Sequence, residues 1–207
     1  MFFKDRYEAG VKLAEIVSKS PLIKGRWDVI GIARGGVVIA SEIARRLRVN
    51  PKVICVEEVN LNETAILAAS STGSGMVFTK GTNHFLPILT SSPNKAVQDF
   101  AEQTHEKQIR LAGSKSVYGN KVIVCDDGVV TARTLVTAIR SLKHYGVKEI
   151  VAAIPVVTPR IMERDDFSVI AWRVTKMTNP ATGMFYKHFG DVEDAEVMSL
   201  LSKIKAA

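Results

Sequence analysis

Apolar residues along this chain follow two patterns that alternate from end to end. Tyr7, Val11, Ala14 and Val17 recur at helical spacing and predict an amphipathic helix over residues 4–19, ending before Pro21. Five short runs, DVIGIA (28–33), VICV (53–56), VIVC (122–125), IVAAIP (150–155) and SVIAW (168–172), are nearly continuous and show no polar alternation. A strand covered on both faces reads this way, because neither side has to meet water, and parallel sheets are the usual setting. Between the runs the spacing turns helical: Ala40, Ile43, Ala44 and Leu47; Val97, Phe100, Ala101, Thr104 and Leu111; Leu135, Ala138, Ile139 and Leu142. A last helix is predicted around Val197, Leu200, Leu201 and Ile204. Strand and helix in alternation predict an α/β fold, a Rossmann-like central parallel sheet flanked by helices.

Residues 59–93 break the rhythm. They are rich in Thr, Ser, Asn and Gly and hold only two strand-like pieces, AILAA and MVF, with TGSG at 72–75 as a candidate hairpin turn. The segment reads as a flap outside the core, either a cover for a site or a loop.

Composition narrows the class. With 207 residues, 46% hydrophobic and 24% charged, residues 1–207 are expected to form one domain. The 28 Lys and Arg against 21 Asp and Glu leave a net charge of +7, which favours phosphorylated metabolites, nucleic acid or an anionic membrane surface as partners. The basic residues are dispersed, and the tight group Arg45, Arg46 and Arg48 sits where a solvated helix face would carry it, so nucleic acid is disfavoured. Cys55 and Cys125 lie inside apolar runs as small buried hydrophobes, without disulfide or zinc spacing, and His84, His105, His144 and His188 are scattered. No apolar run approaches the ~18 residues of a membrane span. The expectation is a cytoplasmic protein in a reducing compartment.

Two strand ends carry candidate chemistry. After DVIGIA comes a tight turn, Arg34-Gly35-Gly36, and then a helix. Helix N-terminal amides beyond a parallel strand bind anions, glycines admit a phosphate to the backbone, and Arg34 can add a charge-assisted contact. The alternative is a turn required by sterics, with a surface arginine. The stretch VIVCDDGVVTARTL (122–135) has the same layout with two acids and two hydroxyls added. Thr131 and Thr134, with the amides of residues 130–134, can wrap a terminal phosphate at a helix N-terminus. Asp126 and Asp127 accept hydrogen bonds, so their partners are hydroxyl donors such as a sugar diol, or a divalent cation such as Mg²⁺. A phosphorylated ribose offers both a diol and a phosphate. The alternative is an Asp-rich turn with Thr134 as a helix N-cap. Neither GxxxxGK[ST] nor GxGxxG occurs.

These residues resemble the type I phosphoribosyltransferases, whose signature is an apolar strand, two acids and a small-residue loop ending in Thr or Ser. FKDRYEAGVKLAEIV, the ARGG turn, DDGVVTART and YKHFGDVEDAEVMSLL are together similar to a branch of that family with a poorly defined substrate. The resemblance implies transfer of ribose 5-phosphate from phosphoribosyl pyrophosphate (PRPP) to a nitrogenous acceptor, with release of pyrophosphate and assistance from Mg²⁺. It implies that Asp126 and Asp127 hold the ribose diol and, directly or through ribose hydroxyls and water, the metal. Val130, Thr131, Ala132, Arg133 and Thr134 would cradle the 5-phosphate, and Arg34, Gly35 and Gly36 the pyrophosphate, on a turn that often carries a strained or cis peptide in relatives. Asp126, Asp127 and Arg34 would then be the catalytic set. Residues 59–93 would close over the site, residues 174–190 would form the acceptor hood, and the protein would be a homodimer binding PRPP or a nucleoside monophosphate.

The chain departs from the family pattern at four points. Ala132 stands where relatives have glycine, beside Arg133, and Val130 where purine-salvage relatives have an acid. Glu57 and Glu58 follow the second strand where relatives are basic, with Lys107, Arg110 and Lys115 as candidate replacement charge. Val130 argues against a standard hypoxanthine/guanine enzyme, and Ala132, Glu57 and Glu58 favour the alternative function, a non-catalytic PRPP- or nucleotide-binding regulator on the same fold.

Overall fold

The computed structural model describes residues 1–61, 64–70, 75–79, 86–87, 95–112, 118–128, 133–177 and 180–202, with the side chains of 59–61, 64–70, 75–79, 86–87 and 97 excepted. Helix α1 (Arg6–Lys19) starts where Asp5 caps it, the carboxylate accepting the Glu8 N–H at 2.9 Å. It is followed by β1 (Asp28–Ile32), α2 (Gly35–Leu47), β2 (Pro51–Leu61), β3 (Thr64–Ser70), β4 (Gly75–Thr79), β5 (Leu86–Pro87) and α3 (Lys95–Ala112). Then come β6 (Lys121–Cys125), α4 (Arg133–His144), β7 (Glu149–Val157), α5 (Pro159–Met162), β8 (Ser168–Val174), a 3₁₀ turn (Thr182–Phe185) and α6 (Asp194–Ser202).

All strands belong to one sheet in the order β5-β4-β3-β2-β1-β6-β7-β8. The five predicted runs are its parallel part, β2-β1-β6-β7-β8, and β3 to β5 extend it antiparallel beyond β2. AILAA lies within β3 and MVF within β4, so both pieces are strands of the main sheet. The TGSG turn falls outside the described residues except for Gly75.

Successive residues of each central strand serve opposite faces, which is why the runs lack alternation. Ile30, Ile32, Val122, Val124, Ala152 and Ile154 pack under Leu135, Ala138, Ile139 and Leu142 of α4. Val29, Ile123, Cys125, Val151 and Ala153 pack under Ala9, Leu13 and Val17 of α1 and Ile39 and Ile43 of α2. Both cysteines are buried and unpaired, as expected. On the β3 side of β2, buried Gln108 from α3 accepts the Cys55 N–H at 2.8 Å and donates to the Val53 carbonyl at 2.9 Å. That side chain satisfies backbone groups the ladder would leave open.

The N-terminal segment meets residues 185–188. The Phe2 and Phe3 amides donate to the Phe185 carbonyl, Lys187 N–H donates to the Phe3 carbonyl, and His188 N–H to the Lys4 carbonyl, at 2.8 to 3.1 Å. Among the described residues, no helix is long and apolar enough to cross a membrane.

Candidate active site

The crossover after β1 leads to β2 on one side, while that after β6 leads to β7 on the other. β1 and β6 are neighbours, paired Gly31 to Cys125, so their carboxyl ends flank the point where connections diverge. A crevice opens there in parallel α/β sheets. The Arg34-Gly35-Gly36 turn and the Asp126-Asp127 pair, far apart in sequence, therefore face each other across it.

The contact between them is backbone-tight. A Cβ on Gly36 would lie 2.5 Å from the Cys125 carbonyl oxygen, and one on Gly35 only 2.1 Å from Oδ2 of Asp127. Glycine is required at position 36, where only backbone could give way, while a side chain at Gly35 would displace the Asp127 carboxylate and the Arg6 guanidinium behind it. The Ala33–Arg34 peptide is cis, in keeping with the expectation from the resemblance. Arg34 caps α2 without a side-chain cap bond; its carbonyl accepts the Val37 N–H at 3.1 Å, and among the described residues its guanidinium has no hydrogen-bond or ion-pair partner.

The acids are held by residues the sequence did not single out. Arg6, on the first turn of α1, donates from Nε to Asp127 Oδ2 at 2.7 Å and from Nη1 to the Gly190 carbonyl at 2.7 Å. Its guanidinium lies 3.8 Å over the Phe189 ring. The Tyr186 hydroxyl donates to the Asp127 carbonyl at 2.5 Å, and Thr182 Oγ1 to the Gly128 carbonyl at 3.3 Å. The Asp127 N–H donates to Oδ1 of Asp126 at 2.9 Å. Arg6 and Phe189 belong to FKDRYEAG and YKHFGD, stretches that carry the resemblance but suggest no role by themselves. Their separation of 184 residues, between Arg6 and Gly190, hides the contact from any local pattern.

Burial, and then the charge of Asp127, pushes the Asp126 carboxyl well above its ordinary range, against the pull of the Asp127 N–H and Arg6. Burial also raises Asp127, opposed by Arg6. Two ionised carboxylates are thus costly here until a hydroxyl donor or a cation arrives. Tyr186 is raised as well, by burial and then by Asp127.

The remaining predicted residues divide. Val130, Thr131 and Ala132 lie outside the described residues. α4 begins at Arg133, so half-buried Thr134 sits in its first turn and not at its cap. Arg133 pairs with Glu58 at 2.9 Å, Lys107 pairs with Glu57, and Arg110 pairs with Asp194 at 2.7 Å. Lys115 lies outside the described residues. Arg45 pairs with Glu42 along the exposed side of α2.

With this geometry in hand, comparison with known proteins decides the family. A model of the phosphoribosyl transferase domain matches residues 5–183. The chain belongs to the phosphoribosyl transferase domain family. Proteins provisionally named phosphoribosyl transferases from two Mycobacterium tuberculosis strains are 26% identical over 212 residues, covering 97% of the chain. The chain spans 46% of those relatives, about half their length. The crystal structure of TT1426 from Thermus thermophilus is similar with a TM-score of 0.69 and 28% identity, over 97% of this chain and 98% of that one. The matched region of the family model takes in Arg6, the Arg34 turn and both acids, and stops at Gly183, short of Tyr186 and Phe189.

Proposed function

We propose that this phosphoribosyl transferase domain transfers ribose 5-phosphate from PRPP to a nitrogenous acceptor and releases pyrophosphate. The observation that carries the proposal is the tight apposition of a glycine turn bearing the unpartnered Arg34 guanidinium with two half-buried carboxylates, at adjacent parallel strand ends. Asp126 and Asp127 accept the ribose hydroxyls. The N-terminal amides of α2 and the Arg34 guanidinium take the pyrophosphate. Val130 to Thr134 form the 5-phosphate loop. As the bond from C1 to pyrophosphate lengthens, positive charge develops on the ribose ring and negative charge on the leaving group. The carboxylates oppose the first and Arg34 the second. Residues 59–93 exclude water when they cover the site, and residues 174–190 contribute the acceptor pocket.

Mg²⁺ suits this donor set. Hard carboxylate oxygens are present, and the ion typically keeps waters and substrate phosphates with only one or two protein carboxylates. Asp126 is the better candidate, because Asp127 Oδ2 is engaged by Arg6. Bound with PRPP, the ion would neutralise leaving-group charge. Among the described residues no cluster of three acidic, His or Cys side chains offers a cage of its own. Glu57 and Glu58 face Lys107 and Arg133, so their charge is already balanced near the site.

Pyrophosphate release from PRPP with Mg²⁺ and a panel of bases, beside calorimetric PRPP binding, tests the proposal. Release that disappears in Asp126→Asn/Asp127→Asn supports it. Binding without release across the panel supports the second reading, a PRPP- or nucleotide-binding regulator, which Ala132 in place of the family's glycine favours. Absence of binding overturns both.

A further inference from the structure

Arg6 makes an ion pair for which stability is a weak explanation. Its side chain is 12% exposed and that of Asp127 15%, and a desolvated pair of this kind is often no more stabilising than apolar residues of the same volume. The geometry is also unlike a simple charge pair. Arginine commonly presents a two-pronged fork to one carboxylate, whereas here Nε goes to Asp127 Oδ2 and Nη1 to the Gly190 carbonyl, with the guanidinium plane laid on Phe189. One carboxylate oxygen is fixed and the other is left open: no hydrogen bond among the described residues reaches Asp127 Oδ1. The fixed oxygen lies against Gly35, in the turn bearing Arg34.

We propose that Arg6 is a positioning residue for the ribose site, holding Asp127 Oδ2 so that Oδ1 is the atom offered to a sugar hydroxyl. This rests on the transferase reading above, in which Asp127 meets the diol. Because the same guanidinium is anchored by Phe189 and Gly190, the orientation of the acid depends on the C-terminal segment as well. Without Arg6, the carboxylate can rotate about its last bond or turn toward the unpartnered Arg34 across the turn, and in either case the hydroxyl loses its acceptor. Lysine in the same place keeps the charge but has no planar fork with which to reach Asp127 and the Gly190 carbonyl together.

The test is a double-mutant cycle read by calorimetry with ribose 5-phosphate and 2-deoxyribose 5-phosphate on the folded full chain. Asp127→Asn alone is expected to weaken ribose 5-phosphate about tenfold, the worth of one hydrogen bond to a charged group. Arg6→Gln is expected to cost a similar factor, Arg6→Lys a smaller one, and Arg6→Gln in the Asp127→Asn background almost nothing, because Arg6 acts through Asp127. The preference for the ribose over the deoxyribose ligand is expected to fall in parallel. Should Arg6→Gln fail to fold, Arg6→Lys and Phe189→Leu carry the same cycle. Wild-type affinity in the folded Arg6 variants, or full additivity with Asp127→Asn, overturns the proposal while leaving the transferase reading intact. A wild-type chain that binds neither sugar phosphate but binds PRPP with Mg²⁺ also overturns it, and a chain that binds none of the three overturns the transferase reading itself.

Discussion

Asp126 and Asp127 show how one site sets stability against function. Asp126 has a carboxyl raised by burial and by its neighbour's charge. In the unfolded chain an aspartate titrates near about 3.9. Between that value and the raised folded value, the folded protein holds more protons than the unfolded one. Stability is therefore expected to fall as pH rises through this window, with a limiting slope of about 1.4 kcal/mol per pH unit for a single proton. Asparagine cannot titrate, so Asp126→Asn is expected to flatten the curve and to be more stable than wild type above the window. It should lose sugar-phosphate binding at the same time. Urea unfolding measured upward from about pH 4 reads the first effect. A variant with the wild-type slope would show that Asp126 titrates normally. Asp127 contributes in the same direction, held back by Arg6.

At the scale of elements, close approach between the turn after β1 and the end of β6 makes the site, and it makes a demand on α2. Gly36→Ala sets a methyl 2.5 Å from the Cys125 carbonyl oxygen, where only backbone can give way. The expected cost is about 1–3 kcal/mol or more, with sugar-phosphate affinity reduced because the strand ends must part. Unfolding midpoints and calorimetry on the same preparation read both. A second prediction concerns α3. Gln108→Ala leaves the buried Cys55 N–H without its acceptor, although Tyr118 still donates to the Val53 carbonyl at 3.0 Å. The expected loss is about 1–3 kcal/mol in urea unfolding, and a loss below a few tenths would mean another group satisfies the amide. These elements were unequally legible in the sequence. The five parallel strands could be read because burial on both faces writes an uninterrupted apolar run. The full length of β2 could not, since it continues past VICV through Glu57 and Glu58, whose charges are balanced by Lys107 and Arg133 from other elements. The acids and the glycine turn announced themselves through local spacing. Arg6, Tyr186 and Phe189 did not, because residues that meet across more than 180 positions of sequence leave no periodic trace.

On the scale of the whole molecule, the N-terminal segment and residues 182–190 converge on the acid loop. Phe3 is 3% exposed, 4.9 Å from the Trp172 ring and 5.5 Å from that of Tyr186, whose hydroxyl in turn holds the Asp127 carbonyl. This joins the N-terminal segment to the Asp127 loop through one aromatic stack. Phe3→Ala removes its centre, and truncation of a buried phenylalanine typically costs about 3–5 kcal/mol. Loss of stability by itself would say nothing about coupling, so a matched core variant is needed. Phe167 is 7% exposed and precedes β8, at the end of the sheet away from the acids, where it packs with the cluster under α4. Phe167→Ala is expected to destabilise comparably and to leave ribose 5-phosphate affinity unchanged at a temperature where both variants are folded. Phe3→Ala is expected to weaken that affinity several-fold, because the Tyr186 ring loses a neighbour and the Asp127 loop loses part of its support. Equal affinities in the two variants would mean that the aromatic stack stabilises the fold without steadying the site, and that Tyr186 holds the loop from its own packing against Phe189.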